Sequence, residues 1–114
     1  MLSIDSLQKA GVNTQEGLSR CMNNEQFYFR LIRKVIEGND VERLKNAVES
    51  GDLDTAFSVA HNLKGSTGNL ALTPVYEPVS KMTELLRSRT QTDYSPFIDE
   101  ISKNWQVLSA LCKD

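Results

Sequence analysis

A single histidine, two cysteines and three prolines are all that this 114-residue chain holds of those residue types. Cys21 and Cys112 lie near opposite ends, with His61 far from both. That spacing writes no zinc signature, and no metal site is expected. In a reducing cytosol the two thiols are expected as isolated cysteines, not as a disulfide. No apolar run approaches the roughly 20 residues that span a bilayer. There is no basic tail and no Lys/Arg cluster, which argues against a nucleic-acid partner. The opening MLSIDSLQKAGVN has no basic segment leading into an apolar run, so no signal peptide is expected. Strand-type alternation, internal repeats and low-complexity tracts are missing too. The expectation is a cytoplasmic protein without membrane or nucleic-acid contacts.

What is present is ordinary globular material, 39% hydrophobic and 25% charged, with 13 basic and 15 acidic residues mixed along the chain. The length suits one core. A single domain over 1–114 is expected, with a core bundle over about 24–112, as a monomer. The length and the initial methionine favour a free-standing protein.

Apolar residues recur every three or four positions, the helical period. SIDSLQKAG can start a short helix at Ser3 and stop at Gly11, and NTQEGLSRCM a second, with Thr14 as cap and Gly17 as its weak point. Asn24 can cap a longer helix whose apolar face is Tyr28, Leu31, Ile32, Val35 and Ile36. The rings of Phe27, Tyr28 and Phe29 span about 200° of its circumference, so one enters the core and two flank it. EGND (37–40) reads as a bend, after which the stripe continues to Gly51. Asp52 can cap the next helix. Thr73-Pro74 and Ser95-Pro96 each read as a cap followed by a proline at the first helical position. The sum is an all-α fold, an antiparallel up-down-up-down four-helix bundle with short helices in front.

The helix from Leu53 carries the histidine. Its core face reads Leu53, Ala56, Ala60, Leu63, Thr67, Leu70, a 3–4 spacing that makes a bundle seam. His61 sits about 100° round from Ala60, on the flank. Phe57, Ser58, Lys64, Gly65 and Gly68 share its face. Each glycine costs a helix interior about 1 kcal/mol. In return, neither can cover the imidazole or obstruct a partner, and Lys64 sets an ammonium one turn away. A second reading makes KGSTG a helix end with Gly65 as a left-handed cap. The apolar spacing, which runs on through Thr67 and Leu70, favours an unbroken helix. LKGSTG is no phosphate-binding loop, since the lysine precedes the glycine and no strand leads in.

AHNLKGSTGNL closely resembles the phosphoryl-accepting segment of histidine-containing phosphotransfer (HPt) domains, whose pattern is roughly A-H-x-L-K-G-x-x-x-x-[LIV]-G. His61, Leu63, Lys64, Gly65 and Leu70 fit it, Ala71 stands where the later glycine is common, and Gly68-Asn69 matches a frequent variant. NNEQFYFRLIRKVIEG is similar to the family's preceding helix, and ESGDLDTAFSVAH to its approach to the histidine.

The resemblance implies a phosphorelay intermediate. His61 would be the phosphoryl acceptor, Lys64 a stabilising cation, and Gly65 and Gly68 the access residues. Some members place a polar side chain on the following helix to hold the imidazole, a position that falls at Thr83. Phe27, Ser58 and Asn62 are candidate docking residues. The partners implied are response-regulator receiver domains and a hybrid histidine kinase. Mg²⁺ is expected on the receiver and no cofactor on this chain, which has no nucleotide-binding motif and would not phosphorylate itself from ATP. Imidazole suits the work, because a neutral ring offers a free lone pair near pH 7 without a general base. A non-phosphorylated adapter that binds a receiver-like partner is the competing reading. A metal- or nucleotide-dependent hydrolase lacks both ligands and loops.

Overall fold

Helices form where the apolar period meets a start signal. The computed structural model describes residues 1–113 and is all-helical, with no strand among the described residues. In chain order the helices are α1 (Ile4–Lys9), α2 (Thr14–Arg20), α3 (Glu25–Glu37), α4 (Asp40–Glu49), α5 (Leu53–Asn69), α6 (Thr73–Arg87) and α7 (Ser95–Cys112). The expected domain end at Asp114 lies outside the described residues. No disulfide joins Cys21, which is buried, to the half-buried Cys112.

Short polar side chains start most of them. Ser3, Asn24 and Asp52 cap α1, α3 and α5 as the sequence suggests. Three starts differ. Asn13 caps α2, and Thr14 is its first helical residue. Thr73 and Ser95 likewise fall inside α6 and α7, whose N-cap residues, Leu72 and Tyr94, make no side-chain cap bond. The Thr73 hydroxyl donates back to the Ala71 carbonyl (3.3 Å). The Ser95 N–H donates to Asp93 (2.9 Å), a bond that holds the Asp93 carboxyl below the usual carboxylate range. At 37–40 the expected bend is a full break. Gly38 is extended (φ −72°, ψ 167°), and α4 starts beyond it.

α5 lies between α4 and α6, α6 packs on α7, and α3 and α4 both meet α7. One core results, and the N-terminal helices share it. Leu2, Leu7, Val12 and Cys21 join the same buried cluster as Tyr28, Leu63 and Leu108. Of the aromatic triplet, Tyr28 is fully buried and Phe27 and Phe29 are half-buried, as the circumference argument requires.

α5 ends in a Schellman motif. Leu72 N–H reaches back to the Thr67 carbonyl (2.9 Å), and Ala71 N–H to that of Gly68 (3.1 Å). Ala71 therefore sits at φ 55°, a conformation glycine adopts freely and alanine does not. The next free carbonyl, Leu70, accepts a hydrogen bond from the buried Tyr28 hydroxyl (2.8 Å).

Burial, with a smaller contribution from Cys21, pushes the Tyr28 phenol up to about 12 from its ordinary 10. The folded state thus favours the protonated ring. That stability is fully present below pH 10 and is lost as pH rises through 12. Tyr28→Phe removes the donor to Leu70 and should lower unfolding free energy by about 1–2 kcal/mol at pH 7. In urea melts at pH 7 and pH 11.5 the gap between wild type and variant should narrow at the higher pH. A constant gap would show that the phenol does not titrate differently on folding.

Candidate functional site

The seam expected on α5 is there. Ala56, Ala60, Leu63 and Thr67 are buried, joined by Val59, while Leu53 is half-buried and Leu70 is the C-cap. Helix runs unbroken through Gly65 and Gly68, which excludes the reading of KGSTG as a helix end. Thr67, polar and fully buried, donates its hydroxyl to the Leu63 carbonyl (2.6 Å). It therefore sits in the seam without an unsatisfied group.

One position round from that seam, His61 is exposed. Its ring packs on Phe57, one turn earlier, with centroids 5.8 Å apart and planes tilted by 32°. Phe57 in turn carries the guanidiniums of Arg87 (5.2 Å) and Arg89 (4.9 Å) over its ring. Asp54 holds Arg89 at 2.7 Å. Lys64 pairs loosely with Glu84 across to α6 (3.5 Å), and Glu84 also meets Arg87 (3.4 Å). Arg87 first, and Lys64 after it, hold the Glu84 carboxyl below its ordinary range. These exposed pairs contribute little to stability; they hold Arg89 and Arg87 beside the Phe57 ring and Lys64 toward Glu84.

Thr83 does not orient the ring. It is fully buried, and its hydroxyl donates to the Val79 carbonyl of its own helix (2.7 Å). A threonine is too short to satisfy that bond and also reach an exposed imidazole. Among the described residues nothing hydrogen-bonds the His61 ring, and its ring contact is with Phe57.

His61, Lys64, Gly65 and Gly68 line one shallow depression together with Asn69, Arg20 and Tyr76. The two glycines differ in what they do there. A Cβ on Gly65 would meet nothing within 4 Å, so that position is open space. A Cβ on Gly68 would lie 2.9 Å from Tyr76 Cε1 and 3.2 Å from its Cδ1. Gly68 is small because the Tyr76 ring of α6 lies over it, not to leave room for a visitor. Ser58 and Asn62 are exposed on α5 but lie outside the depression, and Phe27 is half-buried on α3 and outside it as well.

Arg20, Asn69 and Tyr76 are the members that sequence reasoning does not assign to the site, and of these Arg20 and Tyr76 come from other helices. Arg20 ends α2 and donates to the Gly68 carbonyl, 48 positions away, while pairing with Glu16. No spacing rule links residues so far apart. Tyr76 falls between the inward positions Val75 and Val79 of α6, where periodicity marks it only as not core. No group of three or more His, Cys, Asp or Glu side chains able to hold a metal occurs among the described residues. No helix of the described residues is long and apolar enough to cross a membrane.

The Hpt domain family model matches residues 38–111, from the break after α3 almost to the end of α7. No curated protein and no solved structure matches the chain. The matched stretch is more than half of the sequence and holds all of α5, with His61 and its glycines, while α1, α2 and α3 fall outside it. The chain belongs to the Hpt domain family, whose members serve histidine phosphotransfer in phosphorelay signalling as phosphocarriers rather than kinases.

Proposed function

We propose that His61 is the phosphoryl acceptor of this chain and shuttles the group between aspartates of response-regulator receiver domains. The donor receiver would itself be charged by a hybrid histidine kinase. One observation carries this reading: the only imidazole stands exposed on an unbroken helix, with open space at Gly65 one turn beyond it.

The neutral ring attacks the phosphorus of a receiver aspartyl phosphate with its free lone pair. As the new P–N bond forms, the P–O bond breaks and its electron pair leaves on the aspartate carboxylate. The other ring nitrogen keeps its proton, so no general base takes part. Attack is assigned to the nitrogen far from Cβ, by analogy with the family. Transfer onward reverses these steps at a second receiver. The transition state spreads negative charge over the phosphoryl oxygens. Lys64 supplies a cation from this chain, and Mg²⁺ would come with the receiver. The supporting frame is an antiparallel up-down-up-down bundle of α3–α4, α5, α6 and α7. The successive packing of α4 on α5, α5 on α6 and α6 on α7, closed by α3 and α4 on α7, supports it.

The test is incubation with a phosphorylated receiver, followed by mapping of any label. Acid-labile, alkali-stable phosphate on the peptide that contains His61 is the expected result. Receiver binding with no label on the chain would favour an adapter instead.

Gly65 separates access from folding. Gly65→Ala should stabilise the chain by about 0.5–1 kcal/mol, because alanine restores helix propensity and its methyl meets nothing. Gly65→Leu has similar propensity but fills the depression, and should slow phosphoryl transfer about tenfold or more while its melting point stays near that of the alanine variant. Equal transfer rates for the two variants would show that the open space is unused.

A further inference from the structure

Arg20 stands outside the family segment yet enters the His61 depression. Its helix is anchored there by close contact. Gly17 lies against Tyr28 and the Leu70 carbonyl, so α2 cannot drift from the end of α5. The guanidinium is pinned twice, by the Gly68 carbonyl and by Glu16 on the previous turn. A guanidinium has five N–H donors, so these contacts leave others to face the solvent side. The side chain remains 46% exposed. Beside it the Tyr76 ring lies over Gly68 and lines the same depression. Tyrosine and arginine are both enriched at the energetic centres of protein interfaces.

Seven residues of helix separate His61 from Gly68, about 10 Å along the axis. A guanidinium clamped at Gly68 therefore does not reach a phosphoryl group on His61. It meets the body of whatever presents that group. We infer that Arg20, with Tyr76, forms a docking patch that grips an acidic or carbonyl acceptor on the rim of the receiver domain, and that this chain's N-terminal helices thereby take part in choosing its receiver. The inference rests on the phosphotransfer reading. The occupant follows from position: a receiver aspartate in line with His61 brings its surrounding surface over Gly65, Gly68 and Arg20 together.

A docking residue changes KM and leaves kcat alone. Arg20→Gln keeps a polar side chain that can donate but removes the charge, and a urea melt checks that its fold is intact. Arg20→Glu reverses the charge. Transfer from a phosphorylated receiver to the full chain, measured as initial rate against receiver concentration, should show KM raised about fivefold to tenfold in Arg20→Gln and further in Arg20→Glu. In both, kcat should stay within about twofold of wild type. Arg20→Lys should recover part of the loss, and the salt dependence of kcat/KM should flatten in Arg20→Gln. Unchanged KM in both the glutamine and glutamate variants, with wild type taking label normally, overturns the patch and leaves the phosphotransfer reading standing. A fall in kcat at constant KM also overturns it, by placing Arg20 at the reacting group. Wild-type chain that takes no label from any phosphorylated receiver overturns the phosphotransfer reading itself, and the patch with it.

Discussion

The His61→Gln chain, mixed with a phosphorylated receiver, is expected to carry no acid-labile phosphate, a drop of at least about a thousandfold in label, and to melt close to wild type. Both halves follow from the site. A carboxamide has no nucleophilic lone pair, because its nitrogen pair is delocalised into the carbonyl. Glutamine nevertheless has the length and helix propensity to replace the imidazole on an exposed flank. The imidazole packs on the ring of Phe57, and a ring pair of this kind is worth about 0.5–1.5 kcal/mol in aromatic cases. Phe57 stays in place under Arg87 and Arg89. Stability should therefore change by no more than about 1 kcal/mol, within the range of surface substitutions that touch one neighbour. The two measurements belong together, since loss of label in a chain that also unfolds says nothing about the acceptor. Label that persists in folded His61→Gln chain would move the acceptor elsewhere.

How much of this could be read in the sequence depends on how far apart the partners lie. The seam of α5 and the flank position of His61 are both local periodicity, and both stand in the structure. The starts of α1, α3 and α5 are legible because Ser, Asn and Asp cap them from the adjoining residue. Thr73 and Ser95 mislead because each falls one position inside its helix, where the Thr73 hydroxyl donates to the Ala71 carbonyl and the Ser95 backbone N–H donates to Asp93. Thr83 misleads for a related reason. Only its offset from His61 along the chain points to that role, and its hydroxyl is committed to the turn before it. The cations of the depression and of the Phe57 ring are the least legible part. Arg20, Arg87 and Arg89 arrive from other helices and a loop, and each is held by a carboxylate, Glu16, Glu84 or Asp54, that the sequence scatters among many exposed charges.

Gly17 is where local reading fails most. Within TQEGLSR it looks like a weak point of a short helix, a place where alanine would help. Gly17→Ala is instead expected to destabilise the chain by about 3 kcal/mol or more, among the larger single-residue effects available in this fold. The added Cβ would overlap the Tyr28 hydroxyl oxygen outright and stand 2.5 Å from Cζ of that ring and 2.7 Å from the Leu70 carbonyl oxygen. The obstacles cannot yield. Tyr28 is fully buried with its ring fixed in the core, and the Leu70 oxygen is backbone at the end of α5. Overpacking of a fixed site costs about 1–3 kcal/mol and more when backbone has to move. Here the relief available is for α2 to lift away, which exposes Thr14 and Cys21 and parts Arg20 from Gly68. Against a total stability of about 5–15 kcal/mol for a domain, the loss is visible in a urea titration as a large fall in midpoint with little change in slope. A second measurement identifies the cause. Paired with Tyr28→Phe, which deletes the nearest atom but not Cζ, the alanine should cost less than it does alone, a coupling that residues out of contact do not show. An alanine chain as stable as wild type would mean that α2 does not sit where it brings Arg20 to the depression, and the docking patch would lose its anchor. Gly65→Ala, the same substitution on α5 with open space in front of it, should move stability the other way. The sign of a helical glycine's replacement is thus set by what stands opposite it, Tyr28 in one case and solvent in the other.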